Sequence, residues 1–498
     1  MDDVRTLRGV QTQGRGLFSG HPRGLGPLFF AELWERFSYY GMRALLVLFM
    51  VAPVQAGGLG LETVEAAIIY GNYTMAVYML SIPGGFAADR LLGARRAVVI
   101  GGVLIALGHF TLAIPSTNSF YIGLALVAFG TGLFKPNISA LVGNLYGPGD
   151  ARRDAGFSLF YMGINIGGFF APLVTGFLAQ SAPFKAWLTA QGIDPGTSWH
   201  WGFAAAGVGM SLGLANFLRG GGYRGSEAAA PADAMFWRHG ALLLLGTGAL
   251  MALTVLSDRA GFEWLRTLFL AVPIGAAIWF GVSAEQERKH IAAVLVFFVA
   301  AMIFWAIFEQ AGITIALFAD QLTRTELFGV SFPSAWFQSL NSLFVIALSP
   351  VFALIWFRLG SRQPSSPVKF ALALVCLAAS FLLLVPAAAL AVEGKVSPLW
   401  LVGMFFLQTV GELMLSPVGL STMTKLAPYR LVGLVLGVWF LGSALGNKLA
   451  GVLGSGFSAT DPGALAANFL WQAVLVGVAA AALLALTPWV KKLMAGVE

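Results

Sequence analysis

Charged side chains are scarce in this sequence. Asp, Glu, Lys and Arg make up 11 % of its 498 residues, against about 25 % in an ordinary soluble domain. A chain with so few surface-forming residues cannot stay dissolved, which excludes a soluble enzyme, and its 58 % hydrophobic content excludes a disordered protein. Cysteine is nearly missing. The single Cys376 lies in the apolar stretch 371–385, which excludes a secreted disulfide scaffold and any cysteine-based metal site. Histidine occurs only five times, and there is no HExxH cluster, no GxSxG elbow and no pore-filter repeat. No metal and no cofactor is expected. Absent too are the short alternating segments of a membrane β-barrel.

In their place stand long apolar runs. A membrane-crossing helix needs about 20 residues, and fourteen such helices can be drawn, from 28–51 to 464–490. Polar turns at 115–118, 147–150 and 363–367 separate neighbouring runs. The expected fold is an all-α polytopic membrane protein. Residues 1–27 form a polar, basic tail with no cleavable signal peptide, and 28–218 carry six helices. Residues 219–289 hold a Gly-, Ala- and Pro-rich linker (219–235) and two additional helices at 236–256 and 262–282. Six more helices fill 290–490, and 491–498 form a second tail. Two six-helix bundles with a site at the midplane is the plan of major-facilitator transporters.

The net charge of +7 raises the question of a nucleic-acid partner. With the N-terminus inside, 21 of the 30 lysines and arginines fall on inner segments and five on outer loops. That asymmetry places both termini in the cytoplasm and an even number of helices between them. The basic residues therefore face anionic headgroups of the lipid bilayer, and no nucleic acid is expected.

The four remaining basic residues, Arg36, Arg43, Lys135 and Lys448, fall inside spans. On the first helix Glu32, Glu35, Arg36, Tyr39, Tyr40 and Arg43 share one sector of about 140°. Four charges near mid-span cost on the order of 10 kcal/mol unless they pair and face a wet or protein-lined interior. Glu32 and Arg36 alone would be a helical i,i+4 pair holding a bundle together. The second carboxylate, second arginine and two tyrosines exceed that need. Lys135 sits mid-helix beside Pro136, its alternative being a lysine at a misplaced helix end. Glu309 follows Trp305 by one turn, Glu412 precedes Pro417, and Trp439 shares a face with Ser443. Lys448 reads as a snorkelling or packing residue, and His109 as a packed one. Carboxylates and cations balanced at mid-depth suit a substrate bearing both signs of charge, with the carboxylates as proton carriers.

Several motifs then converge. Gly84-Gly85-Phe86-Ala87-Ala88-Asp89-Arg90 followed by Arg95-Arg96 resembles the major-facilitator loop between helices 2 and 3, with extra residues before Arg95. Asp89 is suited to bond free backbone amides at a helix N-terminus. Glu32-Leu33-Trp34-Glu35-Arg36-Phe37-Ser38-Tyr39-Tyr40-Gly41 resembles the E-x-x-E-R-F-x-Y-Y-G motif of the proton-dependent oligopeptide transporter family. Phe160-Tyr161-Met162-Gly163-Ile164-Asn165-Ile166-Gly167 is similar to that family's F-Y-x-x-I-N-x-G motif. Gly132-Leu133-Phe134-Lys135-Pro136-Asn137, Phe304-Trp305-Ala306-Ile307-Phe308-Glu309-Gln310 and Gly411-Glu412-Leu413 also match. The resemblance runs from the first helix nearly to the last, and it includes the extra helical pair.

It implies a proton-coupled symporter importing di- and tripeptides across the bacterial inner membrane, with protons as coupling ion and a monomer sufficient. Arg43 and Lys135 would face the peptide carboxylate, and Asn165 and Glu309 its amino terminus, with Asn341 assisting. Tyr40, Tyr78, Trp305, Trp439 and Ser443 would line the pocket. Glu32, Glu35, Arg36 and Glu309 would couple protons, and the pairs Arg43–Glu309 and Lys135–Glu412 would clasp the outer and inner gates. The alternatives are a proton-coupled relative carrying nitrate, a modified peptide or a drug, and, from another class, an intramembrane enzyme or channel.

Overall fold

The computed structural model describes residues 16–147, 150, 152–221, 288–327, 329–427 and 432–494. The helices expected at 236–256 and 262–282, most of the linker and parts of both tails lie outside the described residues.

Besides a single helical turn at Thr314–Leu317, the described helices are α1 (Leu25–Val51), α2 (Thr63–Met79), α3 (Ser81–Ala87), α4 (Ala94–Leu112), α5 (Thr117–Asn144), α6 (Arg153–Gln180), α7 (Ala182–Ala190), α8 (Ser198–Arg219), α9 (Arg288–Phe308), α10 (Ser339–Leu359), α11 (Ser366–Leu390), α12 (Leu399–Leu426), α13 (Val432–Gly454) and α14 (Pro462–Met494), of which α3 and α7 are short. Ten spans among the described residues are long and apolar enough to cross a membrane. Helix α1 has the length, 27 residues, but also the four charges that set it apart.

The expected span 63–88 is not one helix. It breaks at Leu80, with Pro83 inside the following turn of α3, and unwinds through π-type turns over Ala88–Leu92. Proline removes a helical donor, and Gly84 and Gly85 add no stiffness. Gly93, with φ +77°, then stands at the N-cap of α4. Short α7, capped by Ser181 Oγ accepting from Phe184 N at 3.3 Å, was not anticipated. Neither was the two-residue antiparallel hairpin pairing Glu326–Leu327 with Val330–Ser331. Both sit in connections between the long helices, in stretches too short to show a period.

The described residues form two compact units. The first holds 16–42, 80–175 and 200–221. Its core gathers Leu28 of α1, Val98 and Ile105 of α4, Phe134 and Ile138 of α5, and Met210 and Phe217 of α8. Helices α4 and α5 approach along a glycine seam. A Cβ on Gly101 would stand 2.6 Å from the Gly130 carbonyl, and one on Gly108 2.9 Å from that of Gly123. Each pair is seven residues apart on its helix, so the antiparallel hairpin brings both into register. Between helices already sheltered from water, such close packing is a main source of association. In the loop beyond α5, Arg152 donates to Asp150 Oδ2 at 2.7 Å and to the Gly20 carbonyl at 2.8 Å. Hydrogen bonds from the Arg152 side chain and backbone hold the Asp150 carboxyl down at about 2.

The second unit holds 43–79, 176–199 and 288–494. Helix α2 rests on α13 at Gly71 and Gly451, where a Cβ on Gly71 would stand 2.9 Å from the Gly451 Cα. Trp305 of α9 covers Gly446 of α13, and Phe381 of α11 meets Phe469 of α14 edge-on at 5.7 Å. The units thus cut across the chain-order halves, since α2 groups with residues beyond 288.

Candidate functional site

Each unit contains one cluster of charges buried in apolar surroundings. In the first unit, Glu32, Glu35 and Arg36 are all buried on α1. Arg36 holds both carboxylates. Its Nη2 donates to Glu35 Oε1 at 2.7 Å, its Nε pairs with Glu35 Oε2, and Nε lies 3.3 Å from Glu32 Oε1. The guanidinium also sits over the Tyr39 ring, 5.2 Å from its centre. The local reason is helical spacing: Glu32 is one turn below Arg36 and Glu35 is adjacent, so one fork spans both acids. Gly167 of α6 lets that helix close on this stretch, because a Cβ there would meet the Leu33 carbonyl at 2.3 Å and Arg36 Cβ at 3.2 Å. Glu32 Oε2 is buried with no hydrogen-bond partner among the described residues. An unpartnered buried oxygen costs free energy as an anion, and a proton is the smallest group that relieves it.

Lys135 and Asn165 belong to the same unit. Lys135 is half-buried on α5, and Asn165, buried on α6, donates to its own helix at the Tyr161 carbonyl, 3.0 Å away. Tyr40 is half-buried and edge-on to Tyr39.

In the second unit Arg43 forms an ion pair with Glu309, both largely buried. Its Nε donates to the Tyr70 hydroxyl, and the guanidinium lies 5.8 Å from the Tyr70 ring centre. The Tyr70 hydroxyl in turn presses on Gly312, where a Cβ would come within 1.9 Å of it. The sequence reading did not single out Tyr70. Its signal, an aromatic two helical turns before Tyr78 on α2, is too common to notice without Arg43 in view. Asn341 of α10 donates to Glu412 Oε2 at 2.9 Å and to Thr409 Oγ1 at 3.1 Å, so Glu412 is anchored within this unit. Thr409 was also missed, being one polar residue among many on α12.

Trp305 is half-buried between Phe304 and Phe308, edge-on to both. Trp439 is buried against Phe370 and Gly419, and Ser443 is buried with its carbonyl accepting from Asn447. Tyr78 is half-buried on α2. Of the two readings of Lys448, snorkelling or packing, the second describes it: the residue is buried and its Nζ donates to Asn72 Oδ1 at 2.6 Å. Helix α2 brings this acceptor to it beside the Gly71–Gly451 contact.

Long apolar helices that carry compensated charges at mid-span define a multi-pass membrane transporter. Comparison with known proteins makes this specific. Residues 95–465 match the family model described as the POT family, and the chain belongs to that family, with its all-α, major-facilitator type of fold. It is 41 % identical over 515 residues to the peptide transporter YePEPT of Yersinia enterocolitica, covering 97 % of this chain and 98 % of the relative. It is 39 % identical over 458 residues to the di-/tripeptide transporter of Lactococcus lactis subsp. cremoris, covering 87 % and 89 %. Among solved structures it resembles a mutant peptide transporter POT in complex with alafosfalin, with a TM-score of 0.85, 41 % identity and 97 % of each chain covered.

Proposed function

We propose that the protein is a proton-coupled symporter that imports di- and tripeptides by alternating access. The observation that carries this reading is the buried Arg43–Glu309 pair with Tyr70 on the same guanidinium. A cation and an anion held away from water satisfy each other, and each is released at reasonable cost only to a ligand of the opposite charge. A zwitterionic peptide brings both: its carboxylate for Arg43 and Lys135, its ammonium for Glu309 and Asn165, with Asn341 assisting. The separation of those two charges changes little with side chain, so one site serves many peptides. Tyr40, Tyr78, Trp305, Trp439 and Ser443 supply its walls.

Protons enter through carboxylates. Protonating Glu309 removes its attraction for Arg43 and opens the outer pair. Protonating the Glu32–Glu35–Arg36 cluster frees part of the Arg36 fork. Either event favours one conformation over the other and so shifts the population between them. The inner gate falls to Lys135 and Glu412. The names of the Yersinia and Lactococcus relatives support the substrate class. The protein acts as a carrier and not as an enzyme, needs no cofactor beyond the proton, and sits in the bacterial inner membrane with both termini in the cytoplasm, where a monomer is sufficient.

Purified protein in proteoliposomes should accumulate a labelled dipeptide under an inward-directed proton gradient and lose that accumulation with a protonophore. Uptake of nitrate or a drug with no uptake of any di- or tripeptide overturns the assignment.

A further inference from the structure

Helix α9 does not continue as an α-helix past Phe308. Glu309–Gly312 form a 3-10 turn, Ile313 leaves helical conformation (φ −124°, ψ −92°), and one helical turn resumes at Thr314–Leu317. A break inside a membrane leaves backbone groups that only other protein groups can satisfy. Gln338 answers one of them by donating to the Ala311 carbonyl, and a chain of side-chain hydrogen bonds ties the turn to α14. Gln310, fully buried, donates Nε2 to Gln472 Oε1 at 2.6 Å and accepts from Thr314 Oγ1 at 3.0 Å. Gln472, fully buried on α14, donates onward to Asn468 Oδ1 at 2.9 Å. Both ends of the Gln472 amide are therefore engaged.

The placement of this amide needs an explanation. Its neighbours on the buried face of α14 are Leu465, Phe469, Ala473, Val476 and Ala480, and a leucine would continue that face. A buried amide among them costs free energy unless bonded, and it is bonded at the level of the break. Successive side chains on a 3-10 turn point about 120° apart. Holding Gln310 toward α14 therefore sets the direction of its neighbour Glu309, which points to Arg43.

We propose that Gln472 is a positioning residue for Glu309: by holding Gln310 it fixes the rotation of the broken turn, and with it the direction of the Glu309 carboxylate. Gln472 touches neither Arg43 nor substrate in this role. The inference rests on Glu309 receiving the peptide ammonium.

The test is competition against labelled dipeptide uptake in proteoliposomes, comparing an unlabelled dipeptide with its N-acetylated analogue. In the wild type the free amine competes better. In Gln472→Leu that preference falls about tenfold, the scale set by one misplaced charge-assisted hydrogen bond, and Thr314→Val lowers it in the same direction. A slower Gln472→Leu protein with the wild-type preference is one in which the amide only glues helices, and overturns the proposal. Should Gln472→Leu fail to fold, an unchanged preference in Thr314→Val overturns it equally. A wild type that transports dipeptides but treats the two competitors alike removes the ammonium role of Glu309, and this inference with it; a wild type that transports no peptide is a failure of the proposed function instead.

Discussion

Glu309 owes its character to residues from distant parts of the chain. Arg43 is its partner, Tyr70 completes the arginine, and the broken turn aims the carboxylate. A glutamine in its place keeps the shape and removes the charge. Glu309→Gln is expected to yield folded protein with no proton-driven peptide accumulation, read in the proteoliposome assay, and Lys135→Ala is expected to do the same. Wild-type rates in both would return these residues to helix packing. Tyr70→Phe tests the neighbour the sequence did not reveal. It leaves a guanidinium N–H buried without its acceptor, at about 1–3 kcal/mol, and should lower the thermal unfolding midpoint of the detergent-solubilised protein. The charged members of the site were legible because a Glu or Arg in an apolar run violates local expectation. Tyr70, Thr409 and Gln472 violate nothing locally, and their roles exist only through partners on other helices.

At the scale of elements, the apolar runs located the helices well, since hydropathy is a property of the run itself. It could not locate the breaks after Met79 and Phe308. The interior of α12 also contains a proline, Pro417, yet the helix is unbroken from Leu399 to Leu426. Whether a proline or glycine breaks a helix depends on which neighbours satisfy the freed backbone groups. The glycine seam between α4 and α5 gives an element-scale prediction. Gly130→Val would drive a side chain into the Gly101 carbonyl, 2.7 Å from the Cβ position, whereas Gly437→Ala meets nothing within 4 Å. Overpacking of this kind costs about 1–3 kcal/mol or more. Gly130→Val should reduce the monodisperse fraction on size exclusion while Gly437→Ala elutes as wild type.

For the whole molecule the governing fact is lipid contact. Large apolar side chains stand exposed on many helices, Phe357, Leu382, Val474 and Val478 among them. In a water-soluble protein so much apolar surface would mark binding sites; here the bilayer covers it. The distribution of basic residues predicts that a fluorescent protein fused to the C-terminus glows and that alkaline phosphatase fused there stays inactive. Phosphatase inserted at Gly192, in the loop after α7, should be active. The reverse pattern would invert the assignment of inner and outer gates.

Hydropathy and scarcity of charge determined by themselves that this chain is a helical membrane protein, because burying a run of apolar residues in lipid depends on no distant partner. The few charges that defy that rule also marked the candidate site. The pair Arg43–Glu309 was implied by the family resemblance and not by either residue's own surroundings; only the tertiary structure decided the polar partners around the charges. It put Tyr70 on Arg43, joined Glu412 to Asn341, and set Asn72 on Lys448. The physical reason is that a charge pair depends on distance across helices, and residues 43 and 309 carry no sign in their own neighbourhoods of being in contact.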